Sequence, residues 1–382
     1  MGDGPSGYPA RRIAVLLSSM GRGGAERVAA TLCNAWAAQG REPWLVPTFL
    51  GAREVAYPLH ESVRLQFLAD LPGVGAGRVP ATLRKLCALR QWLRVLRPDV
   101  VISLLPNINV LAVAATRGLG LPLVVCERAD PAAGVEMGVV LHAARTLAYP
   151  FASRVCVQTA QAARRLRPRL PGCGEFAVIP NPLPAALAAE PARADQVGQG
   201  GTVVAVGRLS PEKGFDRLLQ AFRSGFSDAP DWRLEIWGDG PLRDQLAAQS
   251  AALGLGERAR ICGPVATPWP VMARAQLFAL TSEYEGFPNA MLEAMALGVA
   301  TVAFDCNSGP RDLTDGGRVG VLVPPGDVAA LATALRALAD DPARRIALGE
   351  AGASFVRGAF SEAAVLARWD ALFSAIVTQR TS

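Results

Sequence analysis

Lysine is nearly missing from this chain: of 39 basic side chains in 382 residues, only Lys85 and Lys213 are lysines, and histidine occurs twice. The arginine excess is therefore read in part as compositional bias. The seven cysteines (33, 87, 126, 156, 173, 262 and 306) stand singly, with no CxxC pair and an odd total. That excludes a disulfide or zinc framework and predicts buried thiols in a reducing cytoplasm. No apolar run reaches the ~18 residues that cross a bilayer. The most apolar stretch, 100–125, is broken by Pro106, Asn107, Asn109, Arg117 and Pro122. The first twelve residues carry a basic pair before a short apolar run, too short for a signal peptide, so a disordered leader is expected.

What is present describes an ordinary globular protein, 51% hydrophobic and 19% charged, long enough for two hydrophobic cores. The net charge of +6 is unevenly spread. Residues 1–180 carry 21 basic and 11 acidic side chains, the remainder 18 and 22. A basic half suits an anionic lipid, a phosphorylated acceptor or nucleic acid. Nucleic acid is disfavoured, because interleaved exposed aromatics and any recognition motif are missing.

The first half alternates apolar strands (12–18, 44–49, 99–104, 121–126, 154–158 and 176–179) with amphipathic helices (25–38, 81–96, 109–117, 139–149 and 160–166). Continuously apolar strands between helices predict a parallel, doubly wound sheet. Residues 180–182 close that half, and 184–201, rich in Ala, Pro, Gly and Gln, read as a linker. A second alternation starts at Thr202 and runs to the C-terminus. The expected α/β architecture is two Rossmann-like domains, 1–182 and 183–360, facing across a cleft. In such sheets ligands sit beyond the C-terminal ends of the strands.

Three motifs occupy such ends. Gly21 to Glu26 (GRGGAE) joins the first strand to the first helix, and Gly23 and Gly24 let backbone approach a phosphate at a helix N-terminus. Glu26 stands where a dinucleotide fingerprint needs its third glycine, and a plain tight βα turn is the alternative reading. Next, GRLSPEKG places Arg208 and Lys213 after the first strand of the second half. Phe215 follows Lys213-Gly214, which rules out a P-loop. A forked guanidinium and a compact ammonium suit a diphosphate; the plain alternative is a surface salt-bridge loop. Finally, SEYEGFPNAMLEAMAL spaces Glu285 and Glu293 eight apart, with Gly286, Phe287, Pro288 and Asn289 between strand and helix. Asn289 is expected to cap that helix, and backbone N–H groups near Phe287–Ala290 to face the ligand.

GGAER, GRLSPEKG, WGDGPLR, SEYEGFPNAMLEAMALG and VGVLVPPGD together resemble the GT-B family 4 of retaining glycosyltransferases, over nearly the whole chain. The resemblance implies that Arg208 and Lys213 bind a donor diphosphate and that Glu293 binds the nucleotide ribose. It implies that Glu285 contacts donor sugar hydroxyls, and that Gly23 and Gly24 approach the phosphates or the transferred sugar. It also implies that the final stretch, 361–382, crosses back to the first domain. An Asp-x-Asp triplet, which holds a metal in transferases of the other common fold, is missing, so no metal and no cofactor are expected.

The chain departs from the family where many members place a histidine near the reacting sugar. Here VVCERADP brings Glu127, Arg128 and Asp130, and His142 reads as a helix-surface residue. Glu127 and Arg128, with Asn107 and Asn109, are acceptor-side candidates; a turn-forming role fits the asparagines equally. Residues 78–97 hold six bases and no acid. This helix suits either an anionic membrane surface or packing on the sheet, and the basic run 164–170 is a second such segment. The expectation is a cytoplasmic, peripherally membrane-bound enzyme moving a hexose or N-acetylhexosamine from a nucleotide-sugar, UDP-linked first, to a polyprenyl-diphosphate-linked glycan. A sugar-nucleotide epimerase and a non-catalytic sugar-nucleotide-binding subunit are the alternatives.

Overall fold

The structure, a computed structural model, describes residues 10–21, 23–49, 53–75, 80–128, 138–189 and 200–378. The expected leader, most of the expected linker, Arg22 and Asp130 lie outside these residues. The described chain divides into two compact units: Met1–Pro182 with Glu362–Ser382, and Leu183–Ser361.

The first unit is built on strands β1 (Arg12–Leu17), β2 (Glu42–Pro47), β3 (Arg64–Leu65), β4 (Val100–Leu104), β5 (Leu123–Cys126), β6 (Arg154–Val157) and β7 (Phe176–Val178). All pairings are parallel, in the order β3-β2-β1-β4-β5-β6-β7. Helices α2 (Ala81–Leu96), α3 (Pro106–Thr116), α4 (Val139–Ala148) and α5 (Ala160–Leu166) share one apolar core around Leu89, Ala112 and Leu166. Helix α1 (Gly24–Ala38) packs in the other core, on the opposite sheet face, because β1 hands over leftward and β4 rightward.

The second unit follows the same logic with β8 (Gly201–Val206), β9 (Trp232–Trp237), β10 (Ala259–Gly263), β11 (Leu277–Leu280), β12 (Ala300–Phe304) and β13 (Val321–Val323). Their order is β10-β9-β8-β11-β12-β13, again parallel. Helices α7 (Phe215–Gly225), α8 (Arg243–Ala252) and α12 (Val328–Ala339) border one face. On the other lie α6 (Ala185–Ala189), α9 (Trp269–Ala273), α10 (Asn289–Ala296) and α13 (Pro342–Ala359), with the short α11 (Pro310–Leu313) next to α10.

The last helix, α14 (Glu362–Thr378), groups with the first unit. Trp369 meets Trp36 of α1 edge-on at 5.9 Å, and Asp370 pairs with the buried Arg41 at 2.6 Å.

Two expectations need correction. Helix α6 lies inside the expected linker, because buried Leu187 anchors it in the second unit's core. Cys33, Cys126, Cys156 and Cys306 are buried as expected, but Cys87 is exposed and Cys173 and Cys262 are half-buried.

Candidate functional site

In a doubly wound sheet the two strands whose connections depart in opposite directions leave a crevice beyond their C-terminal ends. In the second unit those strands are β8 and β11. The β8 loop carries Arg208 and Lys213, and the β11 loop carries Glu285.

Side-chain and backbone bonds join the two loops. The Thr281 hydroxyl donates to the Lys213 carbonyl at 2.8 Å, and the Glu283 N–H donates to the Glu212 carbonyl at 2.8 Å. Arg217 pairs with Glu283. Gly214 makes this closeness feasible. It sits at φ 61°, and a Cβ there would lie 2.3 Å from the Thr281 carbonyl oxygen.

The result is a direct ion pair, Lys213 Nζ donating to Glu285 Oε1 at 2.6 Å, with the buried Ser282 hydroxyl donating to the same oxygen at 2.7 Å. An ammonium carries three N–H donors, so one bond to Glu285 leaves two for an anion. Arg208 is exposed, and its guanidinium has no bonding partner among the described residues.

Two further loops brace this pair. The β9 loop presses on the β8 loop: a Cβ on Gly238 would lie 1.8 Å from the Gly207 carbonyl oxygen, and Leu209 N–H donates to the Asp239 carbonyl at 2.9 Å. The β12 loop holds the β11 loop, Glu285 N–H donating to the Asn307 carbonyl at 3.2 Å and the Ser308 hydroxyl to the Gly286 carbonyl at 3.1 Å. Ser308 has φ 71°, an uncommon conformation for a residue with a side chain. Such outliers gather at ligand-binding positions.

Glu293 lies in the second turn of α10 and is 1% exposed. The indole N–H of Trp269, at the start of α9, donates to its Oε2 at 3.0 Å. Trp269 gave no sequence signal, because it sits 24 positions from its partner in a short Pro-flanked helix. The expected capping by Asn289 is not found. Pro288 takes the N-cap position, α10 begins at Asn289, and the Asn289 N–H turns back to the Phe287 carbonyl at 2.9 Å. Proline at that position has no side-chain oxygen with which to accept a helix N–H. Phe287 and Pro288 are buried, Phe287 against Phe360 at 5.9 Å, so their side chains anchor the loop.

In the first unit the corresponding strands are β1 and β4. A cavity of about 380 Å³ lined by Ser18, Ser19, Gly21, Phe49 and Glu54 lies beside the β1 loop. At the start of α1 the space above Gly23 is filled by the protein itself. Glu26 folds back over that turn, its Oε2 only 2.1 Å from where a Gly23 Cβ would stand, and Ser19 donates to its Oε1 at 3.0 Å. Gly24 is exposed.

The acceptor-side candidates separate. Asn107 is exposed near the start of α3. Asn109, by contrast, is fully buried: its amide donates to Tyr149 Oη at 2.7 Å and to the Cys126 carbonyl at 3.0 Å, while accepting from Ser103 at 2.7 Å. Its place among the acceptor-side candidates is therefore corrected; it holds strand ends together. Glu127 is buried in the same network, accepting from Tyr149 Oη at 2.5 Å, with Arg145 at 3.6 Å. Burial pushes its carboxyl above the usual range, against the pull of Arg145 and Tyr149. Arg128 donates to Asn181 Oδ1 at 2.5 Å. His142 is exposed on α4.

Two Rossmann-like units, each with loops gathered at the switch point of its sheet, define the GT-B architecture. Among solved structures, the Thermosynechococcus elongatus sucrose-phosphate synthase superposes with TM-score 0.79 at 19% identity, covering 97% of this chain and 100% of that one. Anabaena HepE in complex with UDP superposes with TM-score 0.74 at 20% identity, covering 96% and 98%.

Residues 23–182 match the family described as glycosyl transferase 4-like domain, and residues 200–341 match glycosyl transferases group 1. The chain belongs to these GT4-like glycosyltransferases of the GT-B fold. Curated relatives include an exopolysaccharide phosphotransferase of Streptomyces coelicolor, 38% identical over 54% of this chain and 21% of that protein. A lipopolysaccharide 1,6-galactosyltransferase of Salmonella typhimurium is 37% identical over 32% and 35%. An α-1,4-N-acetyl-D-galactosaminyltransferase of Campylobacter jejuni, named for a diphospho-undecaprenol-linked substrate, is 24% identical over 86% and 89%. The chain thus spans about a fifth and a third of the first two relatives it matches.

Proposed function

We propose that this protein is a retaining glycosyltransferase that moves a hexose or N-acetylhexosamine from a UDP-sugar to a growing lipid-linked bacterial glycan. The observation that carries the reading is the Lys213–Glu285 pair at the β8–β11 crevice, with Arg208 unengaged on the same loop. Arg208 and the two remaining donors of Lys213 would grip the diphosphate, each charge-assisted bond contributing roughly 1.5–3 kcal/mol. Glu285 would hold sugar hydroxyls and Glu293 the ribose. As the C1–O bond to the diphosphate breaks, negative charge grows on the leaving oxygen. Contacts from Arg208 and Lys213 that strengthen at that moment lower the barrier. The acceptor oxygen bonds to C1 on the same face, and its proton passes to the leaving diphosphate.

Support for uridine comes from Anabaena HepE, whose solved complexes contain UDP and UDP-glucose. Support for a lipid-linked acceptor comes from the name of the Campylobacter relative, which this chain matches along most of its length. Such an acceptor would place the protein at the inner face of a membrane. The phosphotransferase name belongs to a protein of which this chain matches about a fifth, and is not carried over.

A thermal-shift panel of UDP-, GDP- and TDP-sugars, followed by turnover with polyprenyl-diphosphate-linked acceptors, tests the proposal. UDP-sugars should stabilise the protein most, and NMR of the product should show the donor's anomeric configuration kept. Stabilisation by GDP-mannose alone would move the donor assignment, and an inverted product would overturn retention. Because Arg208 and Lys213 supply the positive charge, turnover should survive EDTA; loss on chelation with recovery on manganese would overturn that point.

A further inference from the structure

Helices α2, α3, α4 and α5 cover one face of the first unit's sheet, and none of them contains an aspartate or glutamate. Their bases include Arg94 on α2 and Arg164 on α5, with Arg97, Arg117, Arg167 and Arg169 exposed at or just past helix ends. A helix facing water ordinarily turns a polar or charged side outward. Here the outer side of α4 bears Val139 (86% exposed), Val140 (83%) and Leu147 (74%), and Phe151 (54%) continues the line beyond it. Val139, Ala143 and Leu147 are four apart and form one stripe.

The basic and apolar parts adjoin. Arg117 lies over the Phe151 ring at 3.7 Å, and Arg90 of α2 donates to the carbonyls of Ala115 and Arg117 at 3.0 and 2.6 Å. At the Arg117–Phe151 contact, positive charge therefore meets uncovered large apolar side chains. Anionic headgroups over an acyl interior complement both.

We propose that this face docks on an anionic lipid bilayer. The α4 side chains Val139, Val140 and Leu147, with Phe151, enter the boundary between headgroups and acyl chains. The arginines of α2 and α5 lie over the headgroups. The inference stands on this surface alone, whatever the donor.

Sedimentation of the full chain with phosphatidylglycerol–phosphatidylcholine vesicles, against phosphatidylcholine alone, tests it. The wild type should bind the anionic vesicles, more weakly as salt rises. The Val139→Ser/Val140→Ser/Leu147→Ser and Arg94→Gln/Arg97→Gln/Arg164→Gln variants should each bind them about tenfold more weakly or worse, with unfolding temperature and the UDP thermal shift unchanged. Equal binding by wild type and variants, or no preference for anionic vesicles, overturns the proposal. So does a wild-type dimer that the valine variant dissolves without any vesicle binding. Failure here with UDP binding intact removes the docking alone; vesicle binding without UDP binding removes the proposed function alone.

Discussion

A methyl group on Gly214 would collide with the Thr281 carbonyl 2.3 Å away and hold φ 61° at a strain cost. Gly214→Ala should therefore push the Lys213 loop from the Glu285 loop, lowering stability by about 1–3 kcal/mol and UDP affinity by about tenfold. Urea unfolding and calorimetric titration would read the two effects, and unchanged values in both would refute the role given to this glycine. Trp269→Phe removes the indole donor to a carboxylate that is 1% exposed. It should weaken UDP binding about tenfold with little change in kcat, since the proposed ribose contact of Glu293 would be made in ground and transition states alike. A large fall in kcat with unchanged KM would contradict the placing of Glu293 on the ribose. At this scale the sequence disclosed the charged pair because both members sit in motifs at strand exits. It could not disclose Trp269 or the inward turn of Asn109, whose partners Tyr149 and Ser103 are fixed only by tertiary packing.

Among the elements, the strands were legible because burial on both faces leaves a plain apolar run, as in β4. Short pieces were not: β3 has two residues, and α9 and α11 have five and four, too few to show a period. Helix α14 had no motif of its own, yet Trp369 is 1% exposed between Trp36 and Phe373. Trp369→Ala should cost the first unit about 3–5 kcal/mol. Calorimetry should show that unit's transition falling while UDP still binds the second; loss of UDP binding would contradict the assignment of the site to the second unit.

The pairing of α4 with the β5 end rests on buried Arg145 beside Glu127. Arg145→Leu should destabilise by about 3–5 kcal/mol, and the added change Glu127→Gln should recover most of it. The raised carboxyl pKa sets the sign with pH. The folded state keeps this proton where the unfolded chain, near its ordinary value of about 4.3, has released it. Removing Arg145 raises that folded pKa further, so the Arg145→Leu deficit should grow as pH rises through the raised folded pKa of Glu127 in the wild type and shrink below it. A deficit that deepens on acidification would contradict this account.

At the scale of the whole molecule, each unit is a doubly wound sheet whose loops collect at its own switch point. The charge division of the sequence follows them: acid-free helices cover one face of the first unit's sheet, while the second pairs Glu285 with its one lysine. That division was readable in composition, since it needs only counting. The identity of the transferred sugar was not, because it depends on atoms placed by several loops together.

The central claim is that the β8 and β11 loops grip a nucleotide diphosphate through Lys213. Calorimetric titration of UDP into the wild type and Lys213→Met tests it most directly. The account predicts about 10- to 100-fold weaker binding by the variant, with an unchanged unfolding temperature for the first unit. Equal affinity for UDP in the two proteins would contradict it.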